Sequence, residues 1–137
     1  MMNRIITCFF LILFVFPITP NQVKAITNEL PECFVITHCA KQTFKVNDLE
    51  NAFKKSTKIV LETARTKIVE QTDSYIHAEA KTKWRRYTDD LLIQAIPEKG
   101  IIQVRSESRV GIGDNGVNQR RIDDFAYRLM TEPDITS

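Results

Sequence analysis

The first sustained pattern of apolar positions along the chain is helical. Asn47 followed three residues later by Glu50 is typical of a helix start, and apolar or small side chains then recur every three to four residues up to about Arg65. This stripe consists of Leu49, Ala52, Phe53, Ser56, Ile59, Val60 and Ala64. We therefore predict an amphipathic helix over residues 47–65, whose water-facing side carries Lys54, Lys55, Lys58 and Glu62.

Beyond this helix the apolar pattern falls to a period of two, which is typical of strands. The pattern predicts strands over residues 67–71 and 74–81, and a further pair, 88–96 and 101–110, joined across residues 97–100. Such tight connections favour an antiparallel meander, in which one face packs on helices and the other meets water. In the second strand Ile76, Ala78 and Ala80 alternate with Tyr75, His77 and Glu79.

A second helical stripe closes the chain with Ile122, Phe125, Ala126, Leu129 and Met130, and Arg120 with Asp124 forms an expected i,i+4 pair. Residues 26–46 lack periodicity and read as an extended N-terminal segment, and residues 131–137 read as a frayed tail. The predicted fold is a single small α+β domain. Its antiparallel four-stranded sheet is flanked by an N-terminal and a C-terminal helix.

Residues 1–25 have the parts of a secretory signal peptide: Arg4, an apolar run from Ile5 to Phe16, and Val23-Lys24-Ala25 before the cleavage point. The run is shorter than the roughly 20 residues that span a bilayer. Residues 26–137 are therefore expected to be an exported domain, periplasmic or secreted, with the thylakoid lumen as a further address if the source is photosynthetic.

The full chain has a formal charge of +2, and removal of Arg4 and Lys24 with the signal leaves the mature domain neutral. Phosphate-backbone affinity needs surplus Lys and Arg, so a nucleic-acid partner is not expected.

Cys33 and Cys39 are the cysteines that remain after the signal, and in an exported domain they predict a disulfide. A metal site is the alternative, with His38 and His77 as further ligands, but zinc sites usually show two closely spaced ligand pairs. We expect no metal and no cofactor.

Gly111, Gly113 and Gly116 are spaced as in a dinucleotide-binding turn. That fold needs a second parallel strand and an acidic residue about 20 positions later, and no apolar strand follows Met130 here. We interpret the glycines as a backbone device for a tight strand-to-helix reversal, with Asp114 as a candidate helix cap.

Arginines surround this turn. Alternation puts Arg105 and Arg109 on one strand face with Gln103 and Glu107, and Ser106 and Ser108 on the other. One interpretation is cross-strand ion pairing. The other is a seat for a carboxylate or phosphate, to which Arg120 and Arg121 would add two guanidinium groups.

Catalytic constellations are sparse, because no G-x-S-x-G elbow accompanies Ser106 or Ser108. His77 and Glu79 share a strand face and are a candidate acid/base pair. They define the alternative of a small hydrolase-like enzyme.

Residues 81–87 interleave cations with aromatic rings between two strands. Such a segment suits peripheral contact with a membrane surface, or else it is a solvated hairpin end whose Trp84 folds back on the sheet. Its members are Lys81, Lys83, Trp84, Arg85, Arg86 and Tyr87.

The chain resembles the uncharacterised family catalogued as domain of unknown function 1499. The resemblance is strongest over residues 104–111, at Asp114, over 116–118 and at Arg120-Arg121, and it has weaker support from residues 75–79, 89–90 and 31–33. It implies a domain type and a set of positions, but no reaction.

We therefore expect a non-enzymatic binding or accessory domain whose partner is a protein or a small anionic ligand. The candidate ligand-binding residues are Arg105, Ser106, Ser108, Arg109, Asp114, Asn118, Arg120 and Arg121.

Overall fold

A computed structural model of the chain describes residues 28–111 and 113–135. These residues form five strands, two α-helices and one 3₁₀ turn. In chain order they are β1 (Cys39–Lys45), α1 (Leu49–Glu62), β2 (Thr66–Gln71), β3 (Tyr75–Lys81), β4 (Thr88–Ile96), the 3₁₀ turn Pro97–Lys99, β5 (Ile101–Ser108) and α2 (Val117–Thr131). The predicted α+β class is confirmed.

The strands form one antiparallel sheet in the order β1-β5-β4-β3-β2. Both helices cover the same face, because their apolar stripes pack on the inward-facing side chains of the strands. The alternation predicted for β3 is confirmed, since Ile76, Ala78 and Ala80 are buried there. The opposite, helix-free face carries most of the charged strand residues.

The prediction of four strands is wrong, because the predicted N-terminal segment, residues 26–46, contains β1. This strand pairs with β5, from Cys39 opposite Glu107 to Lys45 opposite Ile101. The sequence signal is weak because Phe44 is the one large apolar side chain on the strand's inward face. Its ring packs on α2, with 6.1 Å between the ring centroids of Phe44 and Phe125.

Helix α1 begins two residues later than predicted. Asp48, and not Asn47, caps it by accepting a hydrogen bond of 2.9 Å from the amide of Asn51. The predicted apolar stripe is buried at Ala52, Phe53, Ser56, Ile59 and Val60.

Residues 131–135 lie against α1, which differs from the expectation of a frayed tail. The Lys55 ammonium donates to the carbonyl of Glu132 at 2.6 Å, and the Asn51 side chain donates to the carbonyl of Ile135 at 2.9 Å. Lys55 was predicted to face water but is buried, because the tail crosses over it. Residues 136–137 lie outside the described part of the chain.

Helix α2 buries Ile122, Phe125, Ala126 and Leu129 as predicted, but Met130 is 72% exposed. Successive helical residues are separated by about 100°, so Met130 points away from the sheet once Leu129 faces it. The expected pair of Arg120 with Asp124 does not form, and Arg120 donates to the carbonyl of Asn115 at 2.9 Å.

The segment before β1 crosses the helix-free face. Leu30 is buried there, its amide donates to the side chain of Gln103 at 2.8 Å, and its carbonyl accepts from Lys41 at 2.7 Å. Cys33 is bonded to Cys39. The disulfide occupies both sulfurs, which would have to be thiolates to bind a metal, so the metal alternative is wrong.

The predicted signal peptide, residues 1–25, lies outside the described residues. Among those that are described, no helix is long and apolar enough to cross a membrane.

Ile122 and Met130 test the packing of α2 directly, because one is fully buried and the other exposed. Ile122→Ala should lower the free energy of unfolding by about 2–5 kcal/mol through lost burial and a residual cavity. The matched substitution Met130→Ala should change it by less than about 0.5 kcal/mol. Urea denaturation of both variants measures the difference, and equal losses would contradict the orientation of α2.

Candidate functional site

Four connections of the fold meet at one end of the sheet, which we call the loop end. The pairing places the start of β1, the end of β5, the start of β4 and the end of β3 side by side. The connections at the loop end are residues 33–38 before β1, 63–65 before β2, 82–87 between β3 and β4, and 109–116 between β5 and α2.

A cleft of about 710 Å³ opens at the loop end between the 82–87 and 109–116 connections. We call it the basic cleft, because its lining includes Arg65, Lys81, Lys83, Arg85, Arg120 and Arg121. The rings of Trp84 and Tyr87 also line it, and Asp114 is the one acidic side chain in the lining.

Most cations of the basic cleft have no carboxylate partner in the part of the chain that the structure describes. No ion pair forms there at Arg65, Lys81, Lys83, Arg85 or Arg120. Most cations elsewhere are paired, namely Lys41, Lys54, Lys55, Lys58, Lys99, Arg105, Arg109 and Arg128. A domain that is almost neutral overall therefore has a local positive potential at this cleft.

Backbone donors at the start of α2 engage the carboxylate of Asp114. It accepts hydrogen bonds of 2.8 Å from the amides of Gly116 and Asn118. Partial burial raises the pKa of Asp114, but the hydrogen bonds from Asn118 and Gly116 outweigh this effect and leave the pKa below its ordinary value. The N-cap residue of α2 is Gly116 and not Asp114, but Asp114, two positions earlier, occupies amide donors that an anion would otherwise use.

Gly116 is the glycine of this turn that needs a left-handed backbone, with φ of 75°, and it follows Asn115 at φ of 53°. Among the glycines for which the described residues define φ, Gly111 does not have a positive value. The reversal therefore depends on Asn115-Gly116 rather than on all three glycines.

Behind the cleft lies a buried polar network centred on Arg121. Its guanidinium donates to Ser106 and Asn118 at 2.7 Å and to Asp89 at 2.9 Å. Asp89 also accepts from the Ser108 hydroxyl at 2.7 Å. These hydrogen bonds join β4, β5 and α2, and they give each polar side chain of the network a partner.

Arg105 and Arg109 lie on the helix-free face of the sheet, away from this network. Arg109 donates to Asp90 at 2.6 Å and to Glu79 at 2.7 Å, and His77 contacts Asp90 at 2.7 Å. The Arg109 guanidinium, aided by His77, holds the pKa of Asp90 below its ordinary value despite partial burial of the carboxyl. Arg105 is buried and pairs with Glu107 at 2.8 Å.

The predicted arginine-rich corner is thus divided among three places. Ser108, Asp114, Arg120 and Arg121 line the basic cleft, and Ser106 and Asn118 lie in the buried network behind it. Arg105 and Arg109 lie on the other face. Arg109 pairs with carboxylates of β3 and β4, as the ion-pairing interpretation expected, whereas Arg105 pairs with Glu107 of its own strand.

His77 and Glu79 share the helix-free face, as alternation predicts, but they hydrogen-bond to Asp90 and Arg109 and not to each other. In the described residues no serine, threonine or cysteine donates to His77. A side-chain nucleophile next to His77, which covalent catalysis requires, is therefore not formed among the described residues.

Sequence reasoning missed Arg65 and the role of Asp89. Arg65 is distant in sequence from the other cleft residues and lies in a left-handed turn with φ of 59°. Asp89 gave a usable signal, because alternation with Leu91 and Ile93 puts its carboxylate on the buried face of β4, where a charge needs a partner.

A family model described as "Protein of unknown function (DUF1499)" matches residues 14–129. The chain belongs to this family. The match confirms the resemblance drawn from the sequence, and no curated protein matches the chain. Membership in DUF1499 gives the domain type, and the chemistry of the loop end has to be argued from its own residues.

Adjacent arginines of this DUF1499 domain should respond differently to the same substitution. Arg121→Met removes the cationic partner of the fully buried Asp89 and should lower the free energy of unfolding by about 3–5 kcal/mol. Arg120→Met removes an exposed side chain with no ion pair in the described residues and should change it by less than about 0.5 kcal/mol. Denaturant unfolding provides the comparison; similar losses would mean that the Asp89 contact is not a principal support.

Asp90 should make the stability of the domain depend on pH. Its pKa is lower when folded than when unfolded, so its contribution is present above the unfolded pKa of about 3.9 and is lost as the pH falls through the folded value. Asp90→Asn should therefore destabilise the domain at pH 7, and the difference from wild type should shrink towards pH 3. Asp124→Asn, an exposed change on α2, is the control. A constant difference across this range would show that the ionised form of Asp90 is not favoured.

Proposed function

We propose that this domain is a non-enzymatic binding or accessory domain that holds a small anionic ligand in the basic cleft. The observation that carries the proposal is the group of cations without carboxylate partners around a cavity of about 710 Å³. Ligand pockets commonly have volumes of about 300–1,000 Å³, so the cavity suits a small molecule.

The lining favours a ligand with phosphate or carboxylate groups. Arg85 and Arg120 offer planar guanidinium forks that bind such groups in a bidentate manner, and Lys81 and Lys83 add point charges. Lys83 lies 5.2 Å from the centre of the Trp84 ring. Because Trp84 and Tyr87 also line the cavity, it has an apolar side as well, which suits a ligand that is not purely ionic.

Side chains, rather than the start of α2, supply the attraction in this proposal. Asp114 occupies the amides of Gly116 and Asn118 at that helix terminus. The affinity should therefore come from long cationic side chains at the rim, and it should fall as salt screens them.

Binding is favoured over catalysis by the position of the acid/base groups. His77, Glu79 and Asp90 do not line the basic cleft, and their hydrogen bonds join them to Arg109. We also propose an exported location, which two features support. One is the amino-terminal signal pattern, and the other is the Cys33–Cys39 disulfide, since disulfides persist in oxidising compartments.

Pyrophosphate and citrate are suitable probes of the cleft. At about 50 mM salt, where surface charges are weakly screened, either probe should raise the melting temperature of the wild type. Lys81→Gln/Lys83→Gln should weaken binding about tenfold, equivalent to about 1.4 kcal/mol. The matched control is Lys45→Gln/Lys67→Gln, which removes two cations that have no ion pair in the described residues and do not line the cleft.

Isothermal titration calorimetry with each probe measures the two affinities. An equal loss in both double variants would show that only net charge matters and would contradict a site at the cleft. The absence of any response in the wild type to either probe would contradict the proposal itself.

A further inference from the structure

Large apolar side chains stand out from the loop end next to the basic cleft. Phe34 is 91% exposed, and Ile36 and Trp84 are each 86% exposed. Val35, between the first two, is also exposed. The alternative in which Trp84 folds back on the sheet is therefore wrong.

The apolar loop formed by residues 34–36 is fixed in position. The Cys33–Cys39 disulfide closes it. On its far side the carbonyl of Thr37 accepts from the amide of Asp114 at 3.0 Å, and the carbonyl of His38 accepts from the amide of Ser108 at 2.9 Å. The loop thus lies directly beside the 109–116 connection, which lines the basic cleft.

Cations lie next to one of these apolar side chains. Lys83, Arg85 and Arg86 flank Trp84 in the 82–87 connection. Three strand spacings of about 4.8 Å separate β1 from β3, so Phe34 and Trp84 belong to one end surface and are not on opposite sides of the domain.

We propose that the loop end docks on an anionic lipid bilayer, with Phe34, Ile36 and Trp84 entering the interfacial region and the surrounding cations meeting lipid phosphates. Apolar side chains that penetrate by about 5–10 Å and cations at the headgroup level are the two attractions of such binding. Trp84 is the residue type enriched at that depth.

A bilayer suits this surface better than a protein partner does. The core of a protein interface is a patch depleted of charged residues, whereas here single apolar side chains project from two loops, and cations flank Trp84 in one of them. A fluid interface accepts separate points of insertion, and its phosphates complement the positive charge.

Docking on lipid does not require the small-ligand function proposed above. The two proposals separate experimentally, because Phe34 and Ile36 do not line the basic cleft. Their substitution should affect vesicle binding and leave the pyrophosphate response unchanged.

Trp84 is the only tryptophan of the chain, so its fluorescence reports the contact directly. Residues 26–137, with the disulfide intact, would be mixed with vesicles of phosphatidylcholine alone or with about 30% phosphatidylglycerol. We expect a blue shift of the emission and co-sedimentation with the anionic vesicles, both reduced when salt is raised from about 0.1 to 0.5 M.

Phe34→Ser/Ile36→Ser should weaken partitioning into the anionic vesicles about tenfold or more, because the buried apolar area is lost. Tyr127→Ser/Met130→Ser is the matched control, since both side chains are exposed near the other end of α2, roughly 20 Å from its start at 1.5 Å per residue. Unchanged melting temperatures in both variants would exclude misfolding as the cause.

Three results would overturn the proposal. The first is failure of the wild type to bind anionic vesicles, and the second is an equal loss in both double variants. The third is binding without a blue shift of Trp84, which would show attraction by charge alone. Weaker binding to phosphatidylcholine, together with the loss in Phe34→Ser/Ile36→Ser, supports it.

Discussion

The ion pair of Asp89 with Arg121 is the contact on which the loop end depends. It is fully buried at the carboxylate and joins a central strand to the helix that follows the glycine turn. Without Arg121, the buried Asp89 carboxylate would cost several kcal/mol of folding free energy. The hydrogen bonds of the neighbouring serine and asparagine side chains alone would not offset that cost. The pair therefore fixes where α2 begins, and with it one wall of the basic cleft.

Periodicity predicted the parts of the fold that have large apolar residues. It identified both helices and strands β2 to β5, because their stripes face a common core. It missed β1, whose place in the sheet is determined by backbone pairing with β5 and by the single ring of Phe44. Pairing with a distant strand leaves little trace in a local pattern.

The candidate site was less predictable than the fold, and for a different reason. Sequence proximity suggested that Arg105, Arg109, Arg120 and Arg121 act together. The first two instead lie on the helix-free face, and the turn that follows β5 carries the last two to the basic cleft. Lys81, Lys83 and Arg85 meet Arg120 only because the end of β3 and the start of β4 lie at the same end of the sheet as the end of β5. The basic segment 81–87 was visible in the sequence, but its neighbour across the cleft depends on strand order.

The distribution of charge also distinguishes two uses of cations in this chain. Lys41, Lys55 and Arg128 lie over backbone carbonyls or carboxylates and hold the terminal segments and helices to the domain. Such contacts fix a conformation and leave no charge available for a ligand. The cations of the cleft other than Arg121 are exposed, which costs little in folding and keeps their charge accessible.

Arg120 and Arg121 show what this division means for reading the motif across relatives. The two residues are adjacent and identical in type, but Arg121 pairs with the buried Asp89 of its own chain, whereas Arg120 has no ion pair in the described residues. Selection would remove variants of Arg121 in every member that keeps the Asp89 partner, whatever that member binds. Under the proposed function, variation at Arg120 would instead follow the ligand, so a shared pair of arginines is evidence of common architecture before it is evidence of common recognition.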